Sequence, residues 1–189
     1  MKKYFVVWLL ICLSARLAMA SDVALVEVQT VWARETETFT PDVDAYLAKN
    51  ISSYVGLFAF VQAMENWAQG YGGLTVAPFP WLELGTGVGL EQGDNPWRFA
   101  ENLWIGSGPV SFLGIVEHGG SGWWYKALGK YTFDSHFSAG VLAQRFAGVG
   151  LYGDFRFKLG QAPLFLWTAP LYEWEAKNLT LLSGAGFSF

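Results

Sequence analysis

The chain closes on Leu179-Thr180-Leu181-Leu182-Ser183-Gly184-Ala185-Gly186-Phe187-Ser188-Phe189. Successive side chains of an extended segment point to opposite faces. On that spacing Leu179, Leu181, Ala185, Phe187 and Phe189 share one face, and Thr180, Gly184, Gly186 and Ser188 share the other. The stretch predicts a strand with one apolar wall and one small or polar wall, ending on an aromatic ring.

The same division recurs upstream. In 148–159, Val149, Leu151, Phe155, Phe157 and Leu159 oppose Tyr152, Asp154, Arg156 and Lys158. In 80–91, Leu82, Leu84, Val88 and Leu90 oppose Glu83, Gly85, Gly87, Gly89 and Glu91. From residue 51 onward the chain divides into runs of about ten residues separated by turn signals, the length a tilted strand needs to cross a bilayer. The runs are 51–65, 68–77, 80–91, 97–107, 110–118, 122–133, 136–146, 148–159, 163–175 and 178–189. Ten strands are expected on this count, with eight or twelve as alternatives because 51–65 alternates poorly, Pro170 interrupts 163–175, and 22–34 could add a strand.

Composition narrows the class. Hydrophobic residues make up 52% of the chain and aromatic residues 17%, with 22 glycines and only 15% charged residues, against about 25% charged in ordinary soluble domains. No stretch beyond the start is apolar for the roughly 20 residues that a spanning helix requires. The first twenty residues combine Lys2-Lys3, an apolar run from Tyr4 to Leu13, and Ala18-Met19-Ala20, the pattern of a secretory signal with cleavage after Ala20. The one cysteine, Cys12, lies inside that leader, so no disulfide is expected, and bulky Ile11 before it disfavours a lipid anchor. Residues 21–50 carry Asp22, Glu27, Glu35, Glu37, Asp42 and Asp44 and no glycine. They read as a separate acidic N-terminal segment, with Thr40-Pro41 and the following acids suggesting a short helix.

An export signal, polar and glycine faces turned to a lumen, and apolar faces turned outward together predict an all-β antiparallel transmembrane barrel over 51–189 preceded by a short periplasmic segment. On the signal, the alternation and terminal Phe189, the chain resembles small Gram-negative bacterial outer-membrane β-barrel proteins as a class. The resemblance implies outer-membrane lipid and lipopolysaccharide as surroundings, and an assembly machinery that reads the last strand and Phe189. Trp67, Trp97, Trp123, Trp124 and Trp174 at one set of strand ends, and Trp81 at the other, are candidates for membrane-interface girdles.

The polar faces supply a candidate lumen network of Glu83, Glu91, Glu117, Lys126, Lys130, Asp154, Arg156 and Lys158. Opposite charges inside a small barrel pair with one another, so a largely filled lumen with a structural or binding role is the first expectation. A small channel and a lipid-modifying enzyme are the alternatives. For the enzyme, His136 and Ser138 resemble the histidine and serine two apart in outer-membrane lipid A deacylases, although Ala139 stands where those enzymes carry asparagine. His118 beside Glu117 is a poor metal candidate, since only two histidines occur and they lie far apart. No metal or cofactor is expected. Acids outnumber bases, 16 to 12, which disfavours nucleic acid as a partner.

Overall fold

A computed structural model describes residues 22–188 except Thr36 and Gln161; the leader, Cys12 and Phe189 lie outside the described residues. Twelve strands follow in chain order: β1 (Val23–Ala33), β2 (Thr38–Asn50), β3 (Val55–Met64), β4 (Ala68–Phe79), β5 (Leu82–Glu91), β6 (Trp97–Ser107), β7 (Val110–Gly119), β8 (Gly122–Thr132), β9 (Phe137–Gln144), β10 (Gly148–Leu159), β11 (Ala162–Glu173) and β12 (Asn178–Ser188). Each pairs antiparallel with its neighbour, and β1 pairs with β12 from Leu25↔Ser188 to Ala33↔Thr180, closing the barrel. Closure leaves no free edge, the condition for placing strands in hydrocarbon.

The count of ten is thus corrected to twelve, and the N-terminal segment is corrected from a separate unit to the first two staves. Asp42, Asp44, Tyr46 and Ala48 alternate with Val43, Ala45 and Leu47 in β2. The acids that read as a helix's first turn are inward positions of a strand. Pro41 belongs to the stretch of β2 that pairs with β1 alone, since β3 joins only from Asp42↔Met64. A proline without an N–H is tolerated in such an edge-like setting. At Pro170 the ladder to β10 lapses between Gly150↔Leu171 and Gly153↔Thr168, so the strand continues past a residue that cannot donate.

Every strand contributes an exposed apolar residue to the outer wall: Val28, Val43, Leu57, Leu74, Val88, Phe99, Val116, Tyr125, Val141, Leu151, Leu166 and Phe187. Such a belt, continuous around all twelve strands, is unlike the contiguous apolar patches of about a few hundred Å² that soluble monomers expose. Glu27, Gln29, Asp42, Gln69, Glu91, Arg98, Glu117, Ser138 and Asp154 are buried instead. Polar inside and apolar outside is the arrangement of a membrane barrel. No connection between strands is longer than the five residues 92–96, so binding through long outward loops, one form of the structural or binding role expected, lacks the loops it needs.

A charge interrupts the middle of the wall. Glu101 is exposed near the middle of β6, opposite Thr86 and Val116. Acids on the lipid face cost less than bases but still destabilise. Glu101→Leu is expected to raise unfolding stability by on the order of 1 kcal/mol, read from urea titration in lipid vesicles; a less stable variant would show that the carboxylate has a stabilising contact.

Candidate functional site: the barrel lumen

A cavity lies in each half of the lumen. One, of about 300 Å³, occupies the half remote from residues 22 and 188 and is bordered by Asp42, Asp44, Gln69, Glu117, Trp124 and Lys126 among others. The second, of about 340 Å³, opens at the opposite end between the turn 106–111 and Lys130, Thr132 and Arg156. Apolar clusters line facing walls at mid-height. Phe58, Tyr71 and Ala100 lie on one side, packed by Tyr46 and Phe60. Leu142, Trp167, Ala169, Leu171 and Leu182 lie on the other, packed by Tyr152 and Phe165.

A single hydrogen-bonded chain crosses the upper half. Gln29 Nε2 donates to Asp42 Oδ2 at 2.9 Å and to Asp44 Oδ2 at 2.8 Å. Gln62 Nε2 donates to the same Asp42 oxygen at 2.6 Å. Gln69 Nε2 donates to Gln62 Oε1 at 2.9 Å and to Glu117 Oε2 at 3.0 Å, and the Tyr71 hydroxyl donates to Glu117 Oε1 at 2.9 Å. Arg98 ends the chain: Nη2 reaches Glu117 Oε2 at 2.6 Å, and Nη1 reaches Glu91 Oε2 at 2.8 Å and Ser121 Oγ at 2.8 Å. Ser121 in turn donates to both Glu91 oxygens.

Lys126 stands apart from that chain, its Nζ 5.6 Å from the centroid of the Trp167 ring. It faces Glu27, Asp42 and Asp44 electrostatically. Trp167 Nε1 donates to Glu27 Oε1 at 2.7 Å. Gly184 makes that contact possible, because a Cβ there would fall 2.4 Å from Trp167 Nε1 and 2.9 Å from Glu27 Oε1.

The lower half has the opposite balance. Lys130 Nζ lies 3.6 Å and Arg156 Nη2 3.2 Å from Asp154 carboxylate oxygens. Lys158 is exposed toward the end of β10. Glu83 is half-buried at the start of β5, across from Trp104.

His136 and Ser138 do not form a catalytic pair in this geometry. Ser138 is buried, donating to Thr132 Oγ1 at 3.2 Å and accepting from Arg156 Nη2 at 3.3 Å. His136 is exposed in the turn, its Nδ1 3.0 Å from Ser135 Oγ. The backbone N–H groups of His136 and Phe137 bind Asp134 Oδ1 and hold that carboxyl below its ordinary value. His118 lies on the outer side with its ring 4.5 Å from that of Trp123, centroid to centroid. Among the described residues no three histidine, cysteine, aspartate or glutamate side chains are grouped to hold a metal.

The tryptophans divide. Trp81, Trp97, Trp123 and Trp174 are exposed. Trp67 and Trp124 border the upper cavity instead, and the Arg98 guanidinium lies 5.8 Å from the Trp67 ring centroid. Trp124 shares the inward parity of Lys126 and Leu128 along β8. Residues that sequence reasoning passed over are Arg98, Gln29, Gln62, Gln69, Tyr71 and Ser121, together with Glu27, Asp42 and Asp44 as lumen groups.

The fold and lumen define a small outer-membrane β-barrel. No family model matches the sequence, and no curated protein does. Among solved structures, the KdgM porin superposes with a TM-score of 0.56 at 11% identity, covering 87% of this chain and 99% of that one. The KdgM porin in complex with disordered oligogalacturonate gives 0.54 at 11%, covering 87% and 99%. The NanC porin gives 0.53 at 7%, covering 86% and 98%. At these identities the likeness is one of fold.

Proposed function

We propose that the chain is a small channel of the bacterial outer membrane, passing polar solutes through the lumen. The observation that carries this reading is a closed twelve-stranded barrel whose lumen holds a cavity with charged groups in each half. The likeness to porins supports it over a filled structural barrel. The enzyme alternative loses its motif, since Ser138 is engaged by Thr132 and Arg156 rather than by His136. The reading carries with it export with removal of residues 1–20, insertion guided by the last strand and Phe189, and lipopolysaccharide as the surrounding lipid.

The two cavities differ in charge, the upper bordered by Asp42, Asp44 and Glu117 and the lower by Lys130 and Arg156. A pore with ends of opposite sign concentrates ions unequally on its two sides. Planar bilayers containing the refolded protein are expected to show discrete conductance steps, with current of unequal size at equal voltages of opposite sign. Silent bilayers from protein that retains heat-modifiable gel mobility would sink the channel reading.

A further inference from the structure

Among the described residues, carboxyl groups outnumber cations in the upper half of the lumen. Among the described residues, Glu27, Asp42, Asp44, Glu91 and Glu117 face Arg98 and Lys126. Arg98 is committed to Glu91 and Glu117, both ion pairs being almost wholly buried. That leaves Lys126 alone before three carboxylates. Carboxyl groups in so shielded a place take up protons or a cation that pairs with them.

The hydrogen-bonding pattern states the kind of counter-ion. Each glutamine nitrogen of the chain is spent on an acceptor within it, which also fixes each amide's orientation. The polar atoms without a partner are acceptors: Asp42 Oδ1 and Gln69 Oε1. Both side chains are more than nine-tenths buried, at 3% and 7% exposure, and both border the cavity. A buried acceptor without a donor is costly, so a guest that brings N–H groups is favoured over one that brings charge alone. Gln69 carries no charge of its own, and its orphaned amide oxygen points to the same chemistry as Asp42 Oδ1.

Two further features narrow the class. The acceptors succeed one another along a single hydrogen-bonded chain, from Asp44 through Asp42 to Gln69 and Glu117, with amides between them. Aromatic rings border the same space, and both resident cations already lie over rings, Arg98 over Trp67 and Lys126 over Trp167. Ammonium groups are attracted to such ring faces.

We propose that the upper cavity is a binding station for a small aliphatic amine, a linear diammonium solute being the best match to its succession of acceptors. The inference rests on the channel reading for its role in transport, but binding itself does not require conduction. Isothermal titration of the folded protein in detergent with 1,4-diaminobutane is expected to give saturable binding. Tetramethylammonium, which has charge without N–H, is expected to bind at least about tenfold more weakly. Asp42→Asn, confirmed folded by heat-modifiable mobility, is expected to weaken diamine binding about tenfold. Lys126→Met, which removes the competing resident cation, is expected to strengthen it, a gain that misfolding could not mimic.

Absence of saturable diamine binding by folded wild type would overturn the proposal, as would equal affinity for tetramethylammonium. Unchanged affinity in both variants would do the same. A protein that conducts without binding the diamine would sink this inference and leave the channel standing; one that binds without conducting would do the reverse.

Discussion

Replacing Arg98 with leucine is expected to cost the barrel about 3–5 kcal/mol of unfolding stability, because it leaves buried carboxylates without their cation. The guanidinium is engaged by Glu91, Glu117 and Ser121, and side-chain exposure is only 3% for Arg98 and 1–2% for the two glutamates. Glu117 also receives Gln69 and Tyr71, so the loss spreads to β4. Urea titration followed by tryptophan fluorescence measures the effect. Glu117→Gln in the Arg98→Leu background is expected to restore part of the loss, since it removes one stranded charge. A single variant unfolding at the wild-type urea concentration would show that water in the cavity already solvates both glutamates.

Arg98 also shows where reading the sequence stops. In β10 and β5 the charges keep to one parity, and the inward set of Glu83, Glu91, Asp154, Arg156 and Lys158 follows directly from alternation. In β6 both parities are charged, Arg98 inward and Glu101 outward, so alternation selects neither face. The register supplies what is missing, setting Arg98 beside Gly89 and Gly119 on the lumen side.

The N-terminal staves were hidden by a different conflict. Thr40-Pro41 followed by acids has the local chemistry of a helix start, and only the period of two in Asp42, Asp44 and Tyr46 against Val43, Ala45 and Leu47 argues for a strand. Closure decides between them. In the observed register the edges of β3 and β12 are taken up by β2 and β1, so these two staves complete the ladder that lipid requires. The amide chain was out of reach for a further reason. Gln29, Gln62 and Gln69 carry no charge to mark a face, and their partnership spans β1, β3 and β4.

Trp167→Ala is expected to have the largest effect on transport, because the indole is a bulky inward side chain at the middle of β11, with Lys126 of the upper cavity 5.6 Å from its ring centroid. Its ring is 5% exposed and stacks on Tyr152 with centroids 5.7 Å apart. It packs in the cluster with Leu142, Leu171 and Leu182 and donates to Glu27. Truncation removes the ring and leaves Glu27 without its donor. A core tryptophan lost to alanine costs about 3–5 kcal/mol, and the lower end applies here because water from the upper cavity can enter the vacated space and hydrogen-bond Glu27. Single-channel conductance is expected to rise, since the passage between the cavities widens. Selectivity for cations is expected to rise with it, because the Glu27 carboxylate then faces the permeating ions. Conductance unchanged in a folded variant would place the narrowest point at the opposite wall, where Phe58 and Tyr71 meet at 6.1 Å, and Phe58→Ala would then be the substitution that opens the pore.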